Sequence, residues 1–191
     1  MTQRSLLEVD WSKIPAPTDD GAAAHLVGMT VPPISLFATD DTSVTLSALS
    51  GRKVVFAYPR TGEPGKIALV DDWDMIPGAR GCTPQTCAFR DLFAELKAAG
   101  AAYVFGLSTQ DNAYQTEMAS RLHLPFPVLS DEKLELTRAL NLPTMEVAGL
   151  TLIKRLVLIV DDARITHVFY PVFPPDRNAG DVLAWLKENP V

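Results

Sequence analysis

Gly81-Cys82-Thr83-Pro84-Gln85-Thr86-Cys87-Ala88-Phe89-Arg90-Asp91 is the stretch where a glycine- and proline-rich segment gives way to helical periodicity. Upstream, Arg60 to Gly81 holds four glycines and two prolines and reads as a long loop with little regular structure. Loops of that length inside a compact domain are uncommon and are often functional. Downstream, Phe89, Leu92, Phe93, Leu96 and Ala99 keep a helical spacing and Gly100 follows as a stop, which predicts an amphipathic helix of about four turns starting at Pro84. Proline is accepted in a first helical turn, so Cys82 falls at or just before that turn. A thiol there faces unpaired backbone N–H groups and the positive end of the helix dipole, and both favour the thiolate. The blander reading is a small, buried cysteine.

Cys87 sharpens the case. Five residues along a helix turn through about 500°, so the two side chains point roughly 140° apart, with Cα atoms about 8–9 Å apart. A disulfide needs Cα atoms within about 7 Å. Cys82 and Cys87 therefore cannot bridge while this turn is helical, and bridging requires the turn to unwind, which makes the helix start a redox switch.

The surrounding elements read as α/β. Lys53–Tyr58 is a continuous apolar and aromatic run ended by Pro59, as expected of a strand covered on both faces. Ala101–Leu107 is a second buried strand, 111–122 a helix, and Phe126–Leu129 a short strand. Asp131–Leu140 reads as a short helix with Ser130 as its N-cap. Arg155–Val160 is a third buried strand, and Asp161-Asp162-Ala163 turns into the alternating run Ile165–Tyr170, suited to an antiparallel edge. Residues 179–188 close the chain as a helix. This order predicts a mixed sheet flanked by helices. Residues 1–26 read as a loosely attached N-terminal arm with a short helix near Ser5–Lys13, and residues 27–191 as a single domain.

A length of 191 residues suits one domain, and 47% hydrophobic against 21% charged residues is globular composition. The net charge of −6 argues against nucleic acid and against an anionic membrane as partners. No apolar run approaches the ~18 residues of a membrane helix. The N-terminus lacks an apolar signal-peptide core and already carries Glu8 and Asp10, so a soluble cytoplasmic protein is expected. Two cysteines exclude a disulfide-stapled scaffold. His25, His123 and His167 have no ligand spacing to one another or to the cysteines, so neither metal nor other cofactor is expected.

Phe56-Ala57-Tyr58-Pro59-Arg60, Gly81–Cys87 and Phe89-Arg90-Asp91 together resemble the peroxiredoxin family, in particular the branch called peroxiredoxin Q or bacterioferritin comigratory protein. Gly106–Ser108, Leu124–Asp131 and Arg155–Asp161 follow in the family's order, and the resemblance covers about residues 27–189. It implies a thioredoxin-like fold and a thiol peroxidase. It implies that Cys82 is the peroxidatic cysteine, attacking the O–O bond of hydrogen peroxide or an alkyl hydroperoxide as thiolate and becoming a sulfenic acid. Cys87 is then the resolving cysteine, closing an intramolecular disulfide that a thioredoxin or glutaredoxin-type thiol reduces. Arg155 matches the family's active-site arginine, whose fixed charge holds the thiolate and orients the peroxide; on its own it reads equally as a strand-end charge. Monomer and homodimer both stay open. The apolar stretch Phe169–Pro175 fits either a dimer contact or packing for the last helix.

One departure stands out. The family places proline seven residues and Thr or Ser three residues before the peroxidatic cysteine, where this chain has Met75 and Ala79. The strand-ending proline is Pro59, followed by Thr61; its offset is 82 − 59 = 23, so 23 − 7 = 16 residues are inserted. Three outcomes stay open: Thr61 folds back into place, Thr83 substitutes, or the pocket is altered. Arg80 is either a compensating second charge or a solvated loop residue. Asp71–Ile76 is either a lid or partner contact, or a loop anchored by Trp73. Two other functions compete. A general thiol–disulfide oxidoreductase favours Cys-x-x-Cys, and a catalytically impaired thioredoxin-like binding domain would follow from the missing hydroxyl at Ala79.

Overall fold

The computed structural model describes residues 9–191. In chain order the first half runs β1 (Ser35–Ala38), β2 (Ser43–Thr45), β3 (Arg52–Ala57), α1 (Cys82–Asp91), α2 (Phe93–Ala98) and β4 (Tyr103–Ser108). The second half runs α3 (Asn112–Arg121), β5 (Val128–Ser130), α4 (Glu135–Leu140), β6 (Thr144–Val147), β7 (Leu150–Ile153), β8 (Leu156–Asp161), β9 (Arg164–Phe169) and α5 (Asn178–Glu188). Seven strands form one mixed sheet in the order β2-β1-β5-β4-β3-β8-β9, with β3, β4 and β5 parallel and β8 antiparallel to β3. Strand β9 is the antiparallel edge, as its alternating sequence predicts.

The apolar run of β3 is buried along its whole length because both faces are covered. Val54 and Phe56 point to one layer, with Phe89, Leu96, Met118 and Val182 from α1, α2, α3 and α5. Val55 and Ala57 point to the other, with Leu136 and Leu140 of α4. This is the strand alternation of side chains, read here on a two-sided sheet. Phe56 and Phe89 stack 4.2 Å apart with an interplanar angle of 4°, which seats α1 on the sheet.

Four expectations are corrected. The helix expected to run to Ala99 takes in Cys82 as its first residue, within the expected bounds, but breaks at Leu92 (φ −99°, ψ 11°) into α1 and α2. The break leaves Phe89 and Leu96 on the same buried layer, so the apolar spacing does not register it. The segment 131–140 is helical only from Glu135, and Ser130 is not its cap. Ser130 ends β5 and donates to the Gln110 carbonyl, while the buried Asp131 carboxylate accepts from the N–H groups of Leu136 and Thr137. The hairpin β6–β7 lies where no element was expected, turning through Ala148 (φ 51°) and Gly149 (φ 77°).

The fourth correction concerns the N-terminal segment, which over residues 9–26 is not loosely attached. Ala23 and Leu26 are buried in the core. Trp11 packs edge-on against Phe173 at 5.9 Å and its Nε1 donates to Asp176 at 2.8 Å. Of the helix expected near Ser5–Lys13, Trp11–Lys13 forms a single 3-10 turn and the rest lies outside the described residues. Among the described residues no helix is long and apolar enough to cross a membrane.

Candidate active site

Helix α1 starts where two close contacts demand glycine. Gly81 has φ +105°, and a β-carbon there would lie 2.7 Å from both Pro175 Cγ and Trp11 Cη2. Part of the apolar Phe169–Pro175 stretch is thus spent inside the chain, against Trp11 and the start of α1. This packing fixes the entry of the chain into α1 and leaves Cys82 as its first residue, 3% exposed.

Arg155, at the turn before β8, reaches that thiol. Its side chain is buried, and Nη2 donates to Cys82 Sγ at 3.2 Å. The same nitrogen faces the carbonyls of Gly78, Ala79 and Arg80 at 3.2, 3.3 and 3.1 Å. Nη1 donates to Gln85 Oε1, and Gln85 Nε2 donates to Asn178 Oδ1 at 2.8 Å. One guanidinium therefore ties the end of the long loop, the sulfur and the first turn of α1 together, and Gln85 carries the tie to α5. The planar fork of arginine presents two separated nitrogens in a fixed orientation, which the single ammonium of a lysine cannot. Gln85 and Asn178 were not foreseen as site residues; both are buried polar side chains, but only tertiary contact reveals what they hold.

Cys82 Sγ also lies 3.6 Å from the Ala79 carbonyl. The Ala79 methyl packs with Trp73, Val147 and Leu152 in a small apolar cluster. The residue therefore meets the sulfur through its backbone and needs no hydroxyl to do so. Thr61 is buried and lines the same cavity as Cys82, but its hydroxyl donates to Gln110 Oε1 at 3.1 Å and has no hydrogen bond to the sulfur. Gln110 holds the Thr61 backbone as well, accepting from its N–H at 2.9 Å, and Tyr114 OH donates to its carbonyl at 3.1 Å. Thr83 lines the cavity too, and among the described residues its hydroxyl has no hydrogen-bond partner.

Cys87 lies on the same unbroken helix, and both cysteines are free and buried. Burial pushes the Cys87 thiol up, an effect only partly offset by the Arg90 charge. The Tyr58 hydroxyl, fully buried near Cys82 and Arg155, is pushed far up by burial and stays protonated. The cavity above Cys82 has a volume of about 1040 Å³ and is walled largely by the long loop. Trp73 anchors that loop, 9% exposed, and also lines the cavity. Arg80 lines it as well, paired with Asp74 at 3.2 Å.

A mixed sheet with a lone thiol at a helix N-terminus, an arginine on its sulfur and a cavity above it defines a thioredoxin-like protein with a thiol-based site. The family model described as Redoxin matches residues 26–183, and the chain belongs to this family. Within it the chain falls in the branch of peroxiredoxin Q and bacterioferritin comigratory protein. The chloroplastic peroxiredoxin Q of Oryza sativa subsp. japonica is 32% identical over 162 residues, covering 84% of this chain and 66% of that protein. That of Triticum aestivum is 31% identical over 177 residues, covering 88% of this chain and 73% of that protein. The chain thus spans just under two thirds of the rice relative's length. Among solved structures, Peroxidoxin BcpB from Mycobacterium tuberculosis matches with a TM-score of 0.68 at 26% identity, covering 86% of this chain and 98% of that chain. A Cys-to-Ser mutant of Xylella fastidiosa PrxQ matches in fold, with a TM-score of 0.67 at 21% identity over 85% of this chain and 95% of that one.

Proposed function

We propose that the protein is a thiol-dependent peroxidase in which Cys82 reduces hydroperoxides and Cys87 resolves the product. The observation that carries this reading is the Arg155 donor 3.2 Å from Cys82 Sγ, at the first residue of α1 and at the wall of an open cavity. The Cys82 thiolate attacks one oxygen of R–O–O–H, forming an S–O bond as the O–O bond breaks. The leaving alkoxide takes up a proton and departs as alcohol, or as water when the substrate is hydrogen peroxide. Arg155 supplies fixed positive charge where negative charge shifts from sulfur to oxygen, the arrangement that lowers such barriers most.

The two cysteines are suited to different tasks. Cys82 has a guanidinium on its sulfur, whereas Cys87 is held as a neutral thiol by burial. Cys87 attacks the sulfenic sulfur only after the first turn of α1 unwinds, because helical Cα atoms five residues apart exceed disulfide reach. Unwinding also brings Cys87 to water and removes the burial that suppresses its ionisation. The condensation yields a disulfide and one water. A dithiol reductant of the thioredoxin or glutaredoxin class returns both thiols, and such a partner fits a reducing compartment such as the cytoplasm. Thr61 belongs to the cavity wall rather than to the sulfur.

Substitution of each cysteine tests the assignment. Cys82→Ser should lose all peroxide consumption, because a serine hydroxyl does not ionise near neutral pH. Cys87→Ser should consume one equivalent of peroxide and accumulate Cys82 as sulfenic or over-oxidised acid, read by intact-protein mass spectrometry. The reverse pattern would exchange the two roles, and a parent protein inert to peroxide would remove the function.

A further inference from the structure

The first turn of α1 must open before Cys87 reaches an oxidised Cys82, so whatever holds that turn shut governs the second half of the cycle. The helix itself holds it weakly. The Gln85 N–H donates to the Gly81 carbonyl at 3.0 Å, and the Thr86 hydroxyl donates to the Cys82 carbonyl at 2.9 Å. Pro84, inside the turn, has no N–H to contribute. Bonds of this kind at a helix end open at little cost, because water takes the place of the lost partner.

A second set of contacts comes from outside the helix. The 3-10 turn Pro175–Arg177 and Asn178, the first residue of α5, bracket the start of α1 at two points. Pro175 lies against Gly81, the residue before Cys82. Asn178 Oδ1 accepts from Gln85 Nε2 at 2.8 Å, and Gln85 lies between the two cysteines. Gln85 is 0% and Asn178 2% exposed, so water does not compete for this bond while the turn is closed. The bracket is the better anchored of the two partners. Ala179, Val182 and Leu186 bury α5 in the core layer, and Trp11 Nε1 donates to the Asp176 carboxylate from the other side. Unwinding that draws Cys82 and Cys87 together moves Gln85 with them, so the turn opens by leaving Asn178. Arg155 reaches the sulfur directly through Nη2, a contact that does not pass through Asn178.

We propose that Asn178, acting through Gln85, is a positioning residue that latches the first turn of α1 and sets how fast Cys87 resolves oxidised Cys82. The inference rests on the peroxidase reading above and concerns the control of its second step. In that step the Cys87 sulfur bonds to the Cys82 sulfur, the S–O bond of the sulfenic acid breaks, and the oxygen leaves as water with the thiol proton. A second peroxide competes, transferring one oxygen to the sulfenic sulfur to give a sulfinic acid and water. Resolution does not depend on peroxide concentration, whereas over-oxidation rises in proportion to it. The latch therefore sets the peroxide concentration at which the protein is inactivated: a tighter latch holds the sulfenic acid longer and exposes it more.

The test is a single turnover with hydrogen peroxide and no reductant, quenched over time and read by intact-protein mass spectrometry, which separates thiol, sulfenic acid, disulfide and sulfinic acid. Asn178→Ala leaves the buried Gln85 amide without its acceptor in the closed state, so conversion of sulfenic acid to disulfide should speed up about tenfold. The peroxide concentration that over-oxidises half of Cys82 should rise. Asn178→Asp restores an acceptor at a helix start that suits a negative charge, and should return the conversion to within about threefold of the parent. In the reduced proteins, amide exchange at residues 85–87 should quicken in Asn178→Ala and not in Asn178→Asp, because exchange reads the same opening. A general loss of fold slows oxidation and resolution alike, so it does not mimic a faster second step. Unchanged or slower disulfide formation in Asn178→Ala, or the same acceleration in Asn178→Asp, would overturn the latch while leaving the peroxidase reading intact. A parent protein whose Cys82 stays unoxidised in peroxide would instead remove the peroxidase reading itself.

Discussion

Replacing Arg155 by methionine should slow the oxidation of Cys82 by hydrogen peroxide by about 10²-fold. The guanidinium is 3% exposed, so water does not screen its bond to the sulfur. A hydrogen bond from a charged donor is worth about 2–3 kcal/mol, and at about 1.4 kcal/mol per factor of ten its loss corresponds to roughly 30- to 150-fold. The same nitrogen faces three carbonyls of the long loop, and leaving such buried acceptors without a donor costs about 1–3 kcal/mol. The variant should therefore also unfold at lower urea. Arg155→Lys separates the two effects. It keeps the charge but lacks the planar fork, so it should recover more of the rate than of the stability. Stopped-flow tryptophan fluorescence is the natural assay, since Trp73 lines the same cavity as Cys82. An unchanged second-order rate constant in folded Arg155→Met protein would show that the arginine is structural alone and refute the electrostatic argument.

Two further outcomes follow from the helix start and from a partly buried ion pair. Closing the Cys82–Cys87 disulfide must unwind the first turn of α1, so oxidation should speed amide exchange over residues 82–90 while the central strands stay protected; an intact helical turn with the two sulfurs bonded would contradict the geometry. Arg52 binds Asp161 through two hydrogen bonds of 2.7 and 3.0 Å and holds its carboxyl below the usual range. Because the folded value is depressed, this contribution to stability is present above the unfolded value of about 3.9 and is lost as pH falls through the folded one. Urea midpoints measured from pH 5 down to pH 2 should therefore fall more steeply for the parent than for Asp161→Asn, and parallel curves would show that the pair adds nothing.

What the sequence discloses is what short-range periodicity encodes. The run Lys53–Tyr58 reveals a doubly covered strand because every residue in it is apolar or able to bury its stem, and β3 is buried throughout. The helix after the loop, the edge strand and the closing helix are legible for the same reason. The features that escape are those whose partners lie far along the chain. Asp131 replaces the expected cap at Ser130 because its carboxylate reaches the N–H groups of Leu136 and Thr137 across a turn at Leu134 (φ 59°). Ala148 and Gly149 form a hairpin turn without the Asn-Gly signature that marks one. The site divides along the same line. Cys82 and Cys87 carry their chemistry in local spacing, but the role of Arg155 as a clamp on residues 78–80 is invisible until the sheet brings the end of the loop to the start of β8. The loop between Pro59 and Cys82 is the sharpest instance. A short, fixed offset from proline to cysteine would place a hydroxyl by local chain spacing alone. With an offset of 23 residues, the position of Thr61 is set by Gln110 and Tyr114 instead, and Ala79 meets the sulfur through its carbonyl. The long loop that separates Pro59 from Cys82 also supplies most of the cavity's wall. The loop thus decides both which group meets the thiol and what encloses the charge-lined space above it.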